Sequence, residues 1–220
     1  MALNLFKKIE ELVSTSEKKP KKEWYEIELE RMTMEEKEVD KEITEFNNIR
    51  YDFENGADIQ ECANKIEDLL SSNVKWNKSK LWLFLVKLYK KQDDNKAWET
   101  LQRYHNYVIE SDYPIETKLS NEMEIYYEEF KILKKEKRYS DALCFLLQYY
   151  VLRSGMERGD DFYLDRFLKE ANTTMKNMNL SNKQVQDLVT KIQRIRKSNN
   201  VANDARKVYI NWIKTNGIQT

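Results

Sequence analysis

Residues 78–109 read KSKLWLFLVKLYKKQDDNKAWETLQRYHNYVI, and residues 117–154 read TKLSNEMEIYYEEFKILKKEKRYSDALCFLLQYYVLRS. In the first stretch Leu81, Trp82, Leu85, Val86, Leu88 and Tyr89 recur at steps of three and four. Such spacing puts them on one face of an α-helix. Ala97, Trp98, Leu101, Tyr104 and Val108 repeat the pattern after a tight Gln92-Asp93-Asp94 turn. The second stretch does the same with Leu119, Met123, Tyr126, Phe130 and Leu133, then Ala142, Leu143, Leu146, Leu147 and Tyr150. Each stretch therefore predicts two helices joined by a connection so short that they pack antiparallel.

Further pairs extend the pattern on either side, at 34–54 with 58–72 and at 160–177 with 182–197. The full series is 34–54 with 58–72, 78–92 with 95–109, 117–136 with 140–154, and 160–177 with 182–197. Thr33 and Glu36 form a capping-box pattern before the first pair, and Ser181 with Gln184 form another before the last helix of the series. Asp58 and Asn77 are candidate N-caps, Gly56 and Gly217 candidate terminators, and Pro114 stands where a helix start tolerates it. A final helix from Asn203, with Ala205, Val208, Tyr209, Trp212 and Ile213, is expected to cap the array. Leu5, Ile9, Leu12 and Val13 give a short amphipathic helix. The basic tract Lys18-Lys19-Pro20-Lys21-Lys22 reads as a solvated linker, with another turn or two of helix after Trp24. The expected organisation is thus 1–22, an N-terminal helix and linker, and 23–220, a domain of helical hairpins.

Composition restricts the alternatives. The chain has 220 residues with four Gly and two Pro, too few for collagen, sandwich-type β folds or Gly-rich phosphate loops. Five Trp, 13 Tyr and eight Phe argue against general disorder. The longest apolar run, residues 81–86, is far short of the ~20 residues a membrane helix needs. Residues 1–13 lack the unbroken apolar core of a secretory signal, and Cys62 and Cys144 read as core thiols of a reduced, cytoplasmic protein.

The sequence offers no catalytic set. His105 stands alone, so no His-based metal site forms, and the cysteines lack the CxxC spacing of metal or redox motifs. The carboxylates Glu35, Glu36, Glu38, Asp40 and Glu42 alternate with Lys37 and Lys41, as on a solvated helix face. The expectation is a protein without enzymatic activity or cofactor.

A shift of 44 residues lays the two quoted stretches on each other: Trp82 on Tyr126, Val86 on Phe130, Tyr89 on Leu133, Trp98 on Ala142 and Leu101 on Phe145. Here the sequence resembles the tetratricopeptide repeat family. Tyr126, Phe130, Leu133, Tyr139, Ala142 and Leu146 match its spacing, and Trp82, Leu85, Val86 and Tyr89 match its first helix. Leu164, Phe167, Leu168 and Ala171 form a third copy. The family's Gly positions are Val86 and Phe130 here, and the Pro that ends its repeats is absent. The resemblance, over about residues 78–197, implies an all-α fold of stacked antiparallel hairpins, a short α-solenoid; the alternative is a compact helical bundle.

In that family the first helix of each pair lines a concave groove that holds a partner segment. Carried over, the groove positions are Lys80, Leu83, Lys87 and Lys90, then Glu124, Tyr127, Lys131 and Lys134, then Phe162, Asp165, Lys169 and Asn172. Independently of the family, the spacing of Lys80, Leu83, Lys87 and Lys90 puts them on one stripe. Lysine stripes flanking Tyr127 suit an acidic protein or peptide partner.

Charge is unevenly spread. Residues 23–57 carry twelve acidic and four basic side chains; residues 181–220 carry eight basic and two acidic. Lys183, Lys191, Arg194, Lys197, Arg206 and Lys207 make the tail an alternative nucleic-acid contact, as in an accessory or regulatory protein. A third reading pairs the acidic and basic ends between copies in a homo-oligomer.

Overall fold

The computed structural model describes residues 20–72, 74–156, 160–195 and 201–218. These residues form nine helices and no strand, so the fold is all-α. In chain order the helices are α1 (Pro20–Glu54), α2 (Ile59–Ser71), α3 (Lys78–Tyr89), α4 (Asp94–Glu110), α5 (Ile115–Lys135), α6 (Tyr139–Met156), α7 (Asp160–Asn177), α8 (Asn182–Ile195) and α9 (Val201–Thr215). The amphipathic segment 5–13 lies outside the described residues.

The caps explain the boundaries. Asp58 accepts the Glu61 N–H at 2.9 Å, Asn77 the Lys80 N–H at 3.3 Å, and Asp93 the Asn95 N–H at 2.9 Å. Each satisfies an amide that the helix itself leaves unpaired. Ser181 and Gln184 form the reciprocal capping box. Four helix ends close with the same back-bond to a carbonyl five residues earlier: Ala57 to Asp52, Arg138 to Leu133, Leu180 to Met175, and Ile218 to Ile213. This closure needs a left-handed residue, supplied by Gly56, Lys137, Asn179 and Gly217. Only two of the four are glycine, so only two were legible in advance.

The N-terminal reading is corrected. α1 is one helix of 35 residues from Pro20, so Lys21 and Lys22 are helical rather than linker, and the 22/23 boundary falls inside it. Pro20 occupies a helix start, where its missing N–H costs nothing. Thr33 caps nothing; its hydroxyl donates back to the Leu29 carbonyl at 2.8 Å, as in a helix interior.

Two buried clusters share α5. The first holds Phe46, Ile49 and Phe53 of α1, the inner faces of α2, α3 and α4, and Ile125 and Ile132 of α5. The second takes Tyr126, Phe130 and Leu133 from another face of α5 and joins them to α6, α7, α8 and α9. Leu81, Leu85, Leu88, Leu101 and Leu133 are fully buried, each contributing about 2 kcal/mol of transfer free energy.

Each helix from α1 to α6 packs on the next. The expected fourth pair is different: α7 packs on α6, whereas α8 packs on α9, and α9 turns back onto α6. The reason lies in α6. Leu143, Leu146, Leu147, Tyr149, Tyr150, Val151 and Leu152 are all buried, so α6 is apolar on every side and needs neighbours all round. Tyr209 of α9 completes that sleeve and donates to the Ser140 carbonyl at 2.8 Å.

Candidate functional site

The lysine stripes of α3 and α5 are linked where α3 ends. Lys90 reaches from the end of α3 to Glu128 of α5 at 2.7 Å, and Lys131 pairs with the other oxygen of the same carboxylate. Glu128 is largely covered, so this shared pair is better shielded from water than a surface ion pair. Beside it, Lys135 ties the end of α5 to Asp94 of α4 at 2.8 Å.

The remaining cations lie over rings. Lys80 sits 5.5 Å from the centre of Trp76, Lys87 5.7 Å from Phe53, Lys91 4.5 Å from Phe53, and Lys134 5.4 Å from Phe130. Lys131 also lies 4.6 Å over Tyr127. An ammonium over a ring face is held by about 0.5–1 kcal/mol at such exposed sites, so the charges are positioned while staying wet. Tyr127 packs tilted against Tyr149, the ring centres 4.7 Å apart, and its burial, with Glu170 nearby, pushes its phenol pKa up. Leu83 is half-buried against the first core cluster. The expected groove positions Lys80, Leu83, Lys87, Lys90, Tyr127, Lys131 and Lys134 lie on α3, at its end and on α5, linked through Glu128, with Lys90 and Lys131 engaged internally. Phe162 and Asp165 lie where side chains are not described; Lys169 and Asn172 are exposed.

Sequence reasoning missed Glu128. Its pairing with Lys131 was visible as an i,i+3 spacing on one helix. Its pairing with Lys90 depends on how α3 and α5 pack and left no local trace. It also missed Glu129, 2% exposed, whose Oε1 accepts from Gln102 Nε2 at 3.1 Å while Oε2 has no partner. Burial pushes its pKa up to about 7, against the pull of Arg206.

The alternative tail set is divided. Lys191 and Lys207 line one cleft between α8 and α9, whereas Arg206 lines a different one between α6 and α9, beside Cys144. Lys183 is exposed at the start of α8. The side chain of Arg194, and Lys197 altogether, lie outside the described residues. His105 packs edge-on to Tyr126 at 6.2 Å. Both cysteines are free thiols, and burial pushes Cys144 up to about 12. Among the described residues no helix is long and apolar enough to cross a membrane, and no cluster of acidic, His and Cys side chains could hold a metal.

Compared with known protein families, curated proteins and solved structures, the chain matches none.

Proposed function

We propose that this chain is a non-enzymatic interaction module that holds an acidic segment of a protein partner across the α3–α5 face, in a tetratricopeptide-like groove. The observation that carries the reading is the convergence of Lys90 and Lys131, from different helices, on the carboxylate of Glu128. The protein already places two cations around one carboxylate on this face, and a partner's carboxylates meet the same chemistry. Lys87 and Lys134, positioned over rings, supply further charge, and Tyr127 supplies a flat apolar contact. Preset cations favour binding because less side-chain freedom is lost when the partner arrives. Two free thiols suit a reducing, cytoplasmic setting.

The test is fluorescence anisotropy with labelled acidic peptides of about ten residues carrying one aromatic residue, a length that spans two neighbouring helices. Binding is expected at low salt and is expected to fall steeply when Lys87→Glu and Lys131→Glu are combined. Affinity unmoved by that double reversal would remove the face from consideration.

A further inference from the structure

Two surfaces unconnected with the lysine face remain unexplained, one at each end of the molecule. The first is the N-terminal part of α1. Among the described side chains its ties to the rest of the chain run from Glu35 onward: Lys75 pairs with Glu38 at 2.9 Å, the Trp76 N–H donates to Glu42 at 2.8 Å, and Phe46, Ile49 and Phe53 enter the core. Before that, Ile27, Leu29, Met32 and Met34 are 60%, 49%, 39% and 66% exposed. Arg31 holds this part locally, pairing with Glu28 and Glu35. Large apolar side chains exposed together on a helix are a docking signal.

The second surface is the cleft between α8 and α9, of about 600 Å³. Ile195, Val208 and Trp212 form its apolar part, and Lys191 and Lys207 outnumber the one carboxylate, Asp204, on its charged part. Trp212 is 1% exposed, and its indole N–H has no acceptor.

We propose that the projecting part of α1 docks in the α8–α9 cleft of a second copy of this chain, joining molecules head to tail. Charge selects this occupant. Residues 27–40 carry six acidic and two basic side chains, so α1 repels another α1; residues 181–220 carry eight basic and two acidic. The geometry makes the contact intermolecular, because α2, α3, α4, α5 and α6 stand between α1 and α9 in the order of packing. A head-to-tail contact leaves one free head and one free tail on every complex, so assembly continues unless a ring closes. This inference is independent of the acidic-partner reading, whose residues it does not use.

The experiment is sedimentation of the full chain from about 5 to 500 μM, at about 50 mM and about 500 mM salt. The wild type is expected to pass beyond two chains per particle at low salt and to fall back at high salt. The tail variant Lys191→Glu/Lys207→Glu and the head variant Leu29→Lys/Met32→Lys should each lose at least tenfold in association while keeping wild-type helicity by circular dichroism. Mixed together, they should form a particle of two chains and nothing larger, since only one good head and one good tail remain. A wild type that stays monomeric throughout overturns the proposal. So does a tail variant that assembles like the wild type, which would mean α1 pairs with α1, or a mixture that forms no dimer.

Discussion

The chain has two cationic surfaces, and they are built differently. On the α3–α5 face the lysines are positioned: Lys90 and Lys131 share Glu128, and Lys87 and Lys134 lie over rings. At the α8–α9 cleft Lys191 pairs with a neighbour on its own helix, Asp187 at 3.2 Å, and the organised part is the apolar floor around Trp212. The two surfaces thus differ in chemistry as well as in charge. The first surface presents cations already set around a carboxylate, the second an apolar floor with a cationic rim.

The largest expected effect separates the two by stability. Trp212→Ala should cost about 4 kcal/mol, because the ring is fully enclosed, whereas Tyr127→Ala should cost about 1 kcal/mol, because the ring is only partly buried. Urea midpoints at unchanged slope measure both. Equal losses would mean that the α3–α5 face is a packed interior rather than an available surface.

Next comes Glu129, which accepts from Gln102 of α4 and feels Arg206 of α9. Its folded pKa of about 7 lies above the ordinary 4.5, so the folded state holds the proton more tightly than the unfolded state. Stability contributed by the protonated form is complete below about 4.5 and is lost as pH rises through 7. The difference between pH 4 and pH 8 should be about 3 kcal/mol. Glu129→Gln should remove that slope and melt higher than the wild type at pH 8; an unchanged slope would show that the carboxyl is solvated.

Binding discriminates more finely. Lys87→Glu with Lys131→Glu should weaken an acidic peptide about 30-fold, while Lys183→Glu with Arg206→Glu should change it by less than about threefold. Similar losses from both pairs would dissolve the distinction between positioned and solvated charge. The smallest effect is expected from Glu128→Gln. Freed from their internal partner, Lys90 and Lys131 should bind the peptide about threefold more tightly, at a stability cost under about 1 kcal/mol. Weaker binding by this variant would show that Glu128 holds the lysines in place rather than competing for them.

Much of this was legible because it is local. Apolar spacing located α2 to α6 to within a few residues, and Asp58, Asn77 and the Ser181–Gln184 box are caps whose geometry depends on neighbours three positions away. The misreadings are of two kinds. Pro20 and the lysine tract signal a break by composition, yet a proline at a helix start leaves the next turns of that helix intact. The course of α9 onto α6 arises from the unspent apolar surface of α6, a property of the assembled core that no single segment records. The lysine stripes were visible from their spacing; the carboxylate that joins them was not, because Lys90 and Glu128 are 38 positions apart.

The central claim is that acidic partners engage the α3–α5 face and not the tail. Backbone amide shifts of the labelled full chain, titrated with an acidic peptide at about 50 mM salt, address it directly. The account predicts perturbations concentrated at Lys87, Tyr127, Lys131 and Lys134. Perturbations gathered around Lys191 and Lys207, or none anywhere at saturating peptide, would contradict it.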